Sequence, residues 1–255
     1  MNYNFHTHTA RCHHATGTDE AYVKAAIEGG ITDMGFSDHI PFVFEGGIER
    51  NYAVPVTEAQ EYIASVKALK AKYADEITLH VGFEMEYYPQ YFKDMLAGAR
   101  ALGAEYLILG QHYLPENIFT TPTVCPHADE AELVKYTDTV IEAIGTGVFT
   151  YVAHPDVFYF TGDQTIYRRE MRRLCEAARA ANIPLEINFL GIREGRTYPT
   201  DLFWQIAGEV GTPVTFGFDA HAAGDAADLV SLEKAKAIVK KYHLNYIGKP
   251  TLKYI

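Results

Sequence analysis

Apolar residues along this chain follow two periods in regular alternation. Short β-rich runs occupy residues 2–6, 32–37, 77–85, 105–110, 149–153, 184–189 and 213–218, and the clearest are Tyr106 to Leu109 and Val214 to Phe218. Runs of this length, rich in β-branched and aromatic residues and bounded by turn formers, predict buried strands. Between them the apolar positions recur at helical spacing. Thr57, Glu58, Ala59 and Gln60 have capping-box form ahead of Ile63, Val66, Leu69 and Tyr73. Pro89 suits a first helical turn before Phe92, Met95, Leu96 and Ala99, and Gly103 suits the position just past the end. Tyr167, Met171, Leu174 and Ala178 mark another helix, and Leu229, Leu232, Ile238, Val239 and Tyr242 the last. Strand and helix alternate over the whole length, which predicts a parallel sheet with helices outside it, as one domain spanning residues 1–255.

The connections are unequal. Helix-to-strand links look short, as at Gly29 and Gly30 or Gly103 and Ala104. Strand-to-helix links are long, running from Ile40 to Val56, Tyr113 to Ala128, Pro155 to Asp163 and Leu190 to Pro199. In barrels of alternating strands and helices, the strand-to-helix loops build the active site at one face.

Candidate chemistry gathers at that face. His6 and His8 close the first strand run, His39 the second, Glu84 the third, His112 the fourth, His154 the fifth, and Asp219 with His221 the seventh. A His-x-His or Asp-x-His pair on a strand projects both side chains to one side. Neutral imidazoles mixed with a few carboxylates suit Zn, Fe or Mn better than Mg or Ca, and these residues exceed what one tetrahedral ion uses. Two or three divalent ions are expected, with Glu84 able to bridge.

Composition narrows the partners. The 48% apolar content is that of an ordinary globular interior. No apolar run approaches the ~20 residues needed to span a bilayer. Cys12, Cys125 and Cys175 are too few and too scattered for a disulfide framework, so a cytoplasmic protein without membrane partner is expected. A formal net charge of −11 repels nucleic acid at long range. A small anionic substrate stays compatible with it, because clustered metal ions make the pocket locally positive.

Taken in order, Phe5-His-Thr-His-Thr9, Ser37-Asp-His39, Gly82-Phe-Glu84, Gly110-Gln-His112, Ala153-His-Pro155 and Phe218-Asp-Ala-His221 resemble the motifs of the PHP (polymerase and histidinol phosphatase) family. The resemblance runs from residue 5 to residue 221. The segment from His6 to His14 resembles the HxHTxxCxH opening of its histidinol-phosphate phosphatases, which singles out His14 as third opening ligand, with His13 as the alternative. The resemblance implies an α/β fold, a distorted (β/α)7 TIM-like barrel of PHP type, and a trinuclear centre of Zn, Fe or Mn. It implies His6, His8, Glu84 and Asp219 around a first metal, Glu84, His112 and His154 around a second, and His14, His39 and His221 around a third. Cys12 is expected beside the site, Asp38 as an orienter of a ligand, and His80, His127 and His243 as ordinary structural histidines.

The expected enzyme is a metal-dependent phosphatase of L-histidinol phosphate, serving histidine biosynthesis. A water bridging two metals loses its proton to become the nucleophile, and the metals clamp the phosphoryl oxygens. Glu84, Asp219 and Arg193 are expected to carry catalysis. Arg193 and Arg196, in the loop after the sixth strand, suit phosphate, with Arg11 a weaker candidate. Tyr113 and Glu186 are expected to bind the rest of the substrate, with Tyr87, Tyr198 and Glu194 also available. Two other classes stay open: a phosphoesterase for nucleotides or oligonucleotide ends, and a metal-binding regulator without turnover.

Overall fold

The two sequence periods build two concentric layers. In the computed structural model, which describes residues 1–255, the strands are β1 (Tyr3–Asn4), β2 (Asp33–His39), β3 (Thr78–Met85), β4 (Tyr106–Leu109), β5 (Phe149–Val152), β6 (Leu185–Asn188), β7 (Pro213–Gly217) and β8 (Asn245–Tyr246). The helices are α1 (Asp19–Glu28), α2 (Ala59–Lys72), α3 (Phe92–Leu102), α4 (Glu130–Gly145), α5 (Gln164–Ala180), α6 (Phe189–Glu194), α7 (Asp201–Val210) and α8 (Leu229–Tyr242). The strands form one sheet in chain order, each neighbouring pair parallel. Each expected run holds a strand. The eighth, two exposed residues long, is too short for a period to register.

The edges of the sheet are joined differently at the two ends. Beyond β1 and β7, Thr7 bridges Ala220 in parallel. There the His8 N–H donates to the Ala220 carbonyl at 3.0 Å and the Ala220 N–H to the His6 carbonyl at 3.2 Å. At the other end β8 wedges in, pairing Asn245 with Pro213 and Tyr246 with Val214. The Tyr3 hydroxyl of β1 lies 3.2 Å from that of Tyr246 and donates to the Gly248 carbonyl at 2.8 Å. The fold is thus the expected distorted barrel, with its last gap shared between a direct seam and a wedge.

Alternation along the strands separates two cores, as a closed sheet requires. Tyr3, Phe5, Tyr106, Ile108, Tyr151 and Ala153 fill the interior. Leu107, Leu109, Phe149 and Val152 join the larger core between sheet and helices, with Tyr167, Met171, Leu174 and Ala178 of α5 facing them from outside.

Three local expectations change. The capping box at Thr57 does not form, because a 3-10 turn over Val56–Glu58 precedes α2 and no side chain caps either element. Pro89 lies in the turn ahead of α3, whose N-cap is Tyr91, while Gly103 at φ 86° ends that helix as expected. The segment after β6 is not a plain loop. The Asn188 side chain accepts the Gly191 N–H at 3.0 Å and starts α6 directly, so Arg193 stands on a helix. No helix is long and apolar enough to cross a membrane.

Candidate metal centre

The strand C-termini deliver their side chains to a single point. His6 Nε2 lies 3.5 Å from both Glu84 Oε2 and Asp219 Oδ1. His8 Nε2 lies 3.2 Å from Asp219 Oδ1 and 3.4 Å from Glu84 Oε2. His39 Nδ1 approaches the same Glu84 oxygen at 3.2 Å. The other Glu84 oxygen faces His154 Nε2 at 2.8 Å and His112 Nε2 at 3.5 Å. Glu84 thus stands between two groups of imidazoles, the position a bridging carboxylate needs. The His14 ring is 4.6 Å from that of His221 and 5.5 Å from that of His39. His154 and Asp219 hold left-handed backbone, φ 29° and 46°, so backbone strain sits at the site itself.

A layer of buried acceptors fixes the ring orientations. Glu186, fully buried on β6, accepts His6 Nδ1–H at 2.8 Å, the His154 backbone N–H at 3.0 Å and Asn188 Nδ2 at 2.9 Å. Asn188 Nδ2 also donates to Asp219 Oδ2 at 3.0 Å. Asp38 faces His8 Nδ1 at 3.4 Å and accepts the Thr9 N–H at 2.9 Å. The carbonyls of Cys12 and Asp219 accept Nδ1–H of His14 and His221 at 2.7 and 3.1 Å, which leaves Nε2 of each free as a donor atom. Two glycines make room for the carboxylates: a Cβ at Gly110 would lie 1.8 Å from Glu84 Oε1, and one at Gly217 would lie 1.5 Å from Glu186 Oε1.

The donor set fits metal ions. His6 Nε2 and Asp219 Oδ1 are buried with no hydrogen-bond partner and face each other. Four groups of three donors lie within metal-binding reach: His6, His8 and Asp219; His6, Glu84 and His154; His8, His39 and Glu84; and His8, Cys12 and His221. Burial acts to raise the Glu84 and Asp219 carboxyls, yet the imidazoles around them outweigh it and hold both well below the ordinary range. Burial opposes a proton on His6, but Glu186, Asp219 and Glu84 outweigh it and raise His6 to about 10. A field that favours a proton there favours a metal cation by the same physics. Burial lowers His112 and His221 to about 3, so both are neutral donors at physiological pH.

The pocket over this cluster, about 180 Å³, is lined by His8, His14, His39, Glu84, His112, His154, Asp219 and His221, together with Tyr52, Tyr113, Tyr198 and Arg196. His13 does not join it. At φ 64° it is exposed and borders a separate, larger cleft of about 690 Å³ beside α1 and α2 that contains no donor cluster. Two residues expected to touch substrate stand elsewhere. Glu186 lies beneath His6, sealed from the pocket. Arg193 is held by Asp225 and Asp228 at 3.2 and 3.1 Å and donates to the Phe218 and Asp219 carbonyls at 3.4 and 3.1 Å. Arg11 pairs with Asp19, and Tyr87 with Glu142, away from the site. Tyr52 and Asn188 carry no motif in the sequence; the only signals for them are the length of the loop after β2 and the end of β6.

The PHP domain profile matches residues 4–189. The chain is 27% identical over 233 residues to a probable histidinol-phosphatase of Deinococcus radiodurans, covering 86% of each. It is 24% identical over 251 residues to the histidinol-phosphatase of Bacillus subtilis, covering 86% of this chain and 93% of that one. Its fold matches that of histidinol phosphate phosphatase from Lactococcus lactis, solved with zinc, L-histidinol and phosphate. The TM-score is 0.72 at 18% identity, covering 96% of this chain and 95% of that one.

Proposed function

Since this chain belongs to the PHP domain family, we propose that it is a metal-dependent phosphatase that hydrolyses L-histidinol phosphate to L-histidinol and phosphate. The observation that carries this is the pair of buried, unpartnered donor atoms, His6 Nε2 and Asp219 Oδ1, facing each other beside Glu84 beneath a pocket with one arginine at its rim. We assign His6, His8, Glu84 and Asp219 to one ion, Glu84, His112 and His154 to a second, and His14, His39 and His221 to a third, the metals being Zn, Fe or Mn. When bound, such ions supply Lewis acidity, which acidifies water and offsets phosphoryl charge.

The chain's own groups do the rest. Glu84 and Asp219, held ionised, are the only carboxylates among the assigned donors, while His39, His112 and His221 add donors without adding charge. Arg196, at the pocket rim with its Nε on Glu194 at 2.8 Å and one Nη on Tyr198 at 3.2 Å, is the arginine assigned to phosphate. Arg193 acts through Asp219, whose carbonyl it holds. Tyr113 and Tyr52 wall the side where the leaving alcohol sits. The same proposal places the enzyme in the cytoplasm, which its three free thiols suit.

Phosphate release from L-histidinol phosphate, AMP and a dinucleotide, before and after chelation, tests this. The expected result is the highest kcat/KM for L-histidinol phosphate, lost on chelation and restored by metal. An equal or higher value for AMP or the dinucleotide moves the assignment to a nucleotide phosphoesterase, and no release from any of them leaves a non-catalytic metal protein. Fewer than two equivalents of metal after reconstitution overturns the trinuclear arrangement.

A further inference from the structure

Of the two imidazoles of the cluster whose buried Nδ1 has no hydrogen-bond partner, His112 and His154, only His112 has a carboxylate beside that atom. Its Nε2 faces Glu84, but its Nδ1 is buried with no hydrogen-bond partner. Glu86 Oε1 lies 3.7 Å from that Nδ1 and accepts the His112 backbone N–H at 3.0 Å. Glu84 and Glu86 are two residues apart on extended chain, so both point to the barrel mouth. One meets Nε2 of His112 and the other flanks its Nδ1.

The second oxygen of Glu86 belongs to a different part of the molecule. It accepts the Tyr52 hydroxyl at 3.1 Å and faces Arg50 Nη2 at 3.6 Å, both residues coming from the long loop between β2 and α2. Arg50 donates to the Tyr88 hydroxyl at 2.8 Å and is enclosed by rings, its guanidinium carbon 4.3 Å from the Tyr113 centroid and 4.8 Å from that of Phe119. A guanidinium so enclosed needs a carboxylate, and Glu86 is the one it faces. The Tyr52 ring in turn packs edge-on against His39 at 5.1 Å.

We infer that Glu86 is a positioning residue of the metal centre, holding His112 with Nε2 toward Glu84 and anchoring the β2–α2 loop to the same carboxylate through Arg50 and Tyr52. The inference rests on the metal-centre assignment above. Loop docking and the aim of His112 then form one unit, since both hang on the two oxygens of one side chain.

Titration of the metal-free protein with Zn(II) against a chromophoric chelator tests it. Glu86→Gln keeps size and shape, so a mere packing role leaves every zinc affinity unchanged. The positioning role predicts one ion held about tenfold or more weakly, the range found when a ligand's supporting partner is removed. Where Glu86→Gln alone fails to fold, Glu86→Gln with Arg50→Met removes the unpaired buried cation and is read by the same titration. Folded variants that bind every zinc ion as the parent does overturn the inference and leave the proposed function standing. A parent protein that takes up none of Zn(II), Mn(II) and Fe(II) overturns both.

Discussion

His13 and His14 show how a single backbone angle decides which of two adjacent imidazoles enters a site. His13 takes the left-handed conformation that closes the turn Ala10–Cys12 and faces outward, and His14 is thereby carried over the pocket with Nδ1 on the Cys12 carbonyl. His14→Ala is expected to remove one ion, leave the fold near native and lower turnover sharply. His13→Ala should change neither, and Glu84→Ala should disturb two ions together; metal analysis with phosphate release on the three variants checks this. Gly110→Ala is a sharper case, because its Cβ would fall on the Glu84 carboxylate. Displacing a bridging group by about an ångström costs on the order of 10²-fold in rate, so kcat should fall by about that much without loss of folded structure by circular dichroism. Eight of the nine proposed ligands were legible in the sequence because each sits at or just past the end of a strand, and strand ends are marked by period and punctuation. The ninth, His14, lies beyond the 3-10 turn and is singled out only by the resemblance of the opening segment. The place of Glu186 was not legible. It stands on the same face of β6 as Asn188 but one layer deeper, and depth along a strand separates an orienter of His6 from a residue in the pocket.

At the scale of elements, the connection after β6 carries the main difference between sequence and structure. The period there is too short to announce a six-residue helix, and the signal that starts it is one Asn side chain on one N–H. Its consequence for Arg193 is large. From α6 the guanidinium reaches Asp228, the residue that also caps α8 by accepting the Ser231 N–H at 2.9 Å. Asp228→Ala should therefore cost about 1 kcal/mol in stability, the usual loss for a helix cap, measured as a shift in denaturation midpoint. The two arginines should separate kinetically. Arg196→Met is expected to weaken product inhibition by inorganic phosphate, and Arg193→Met to lower kcat with phosphate inhibition unchanged. The failed capping box at Thr57 teaches the reverse lesson: a sequence of the right form makes no cap when the preceding turn already directs the chain.

For the molecule as a whole, the sequence made the alternation of strand and helix plain, but it could not show how the barrel closes. The Thr7–Ala220 bridge is two residues of backbone pairing, and β8 is a pair of exposed residues. The cluster's titration is likewise a property of the assembled barrel. His6, His8 and His154 are raised by the carboxylates around them against the effect of burial, whereas His39, His112 and His221 are lowered by burial. Without metal, a raised histidine stabilises the fold at acid pH, and for His6 that contribution is lost as pH rises through about 10. Metal entry must displace those protons, so affinity at the ions held by His6, His8 and His154, and by His14, which its contacts with Cys12 also raise against burial, should fall as pH drops, whereas His39, His112 and His221 have no proton to give up at neutral pH. Proton release during zinc titration in weakly buffered solution at two pH values measures the difference. The seam at Thr7 and Ala220 also sets an order in time. His6 and His8 flank one side of it and Asp219 and His221 the other, from opposite ends of the chain, so no ribosome-bound fragment lacking β7 holds a complete first site. If the first site is assembled there, metal capture is expected to close folding: in refolding experiments, zinc uptake should track the slowest phase, in which the most distant segments meet.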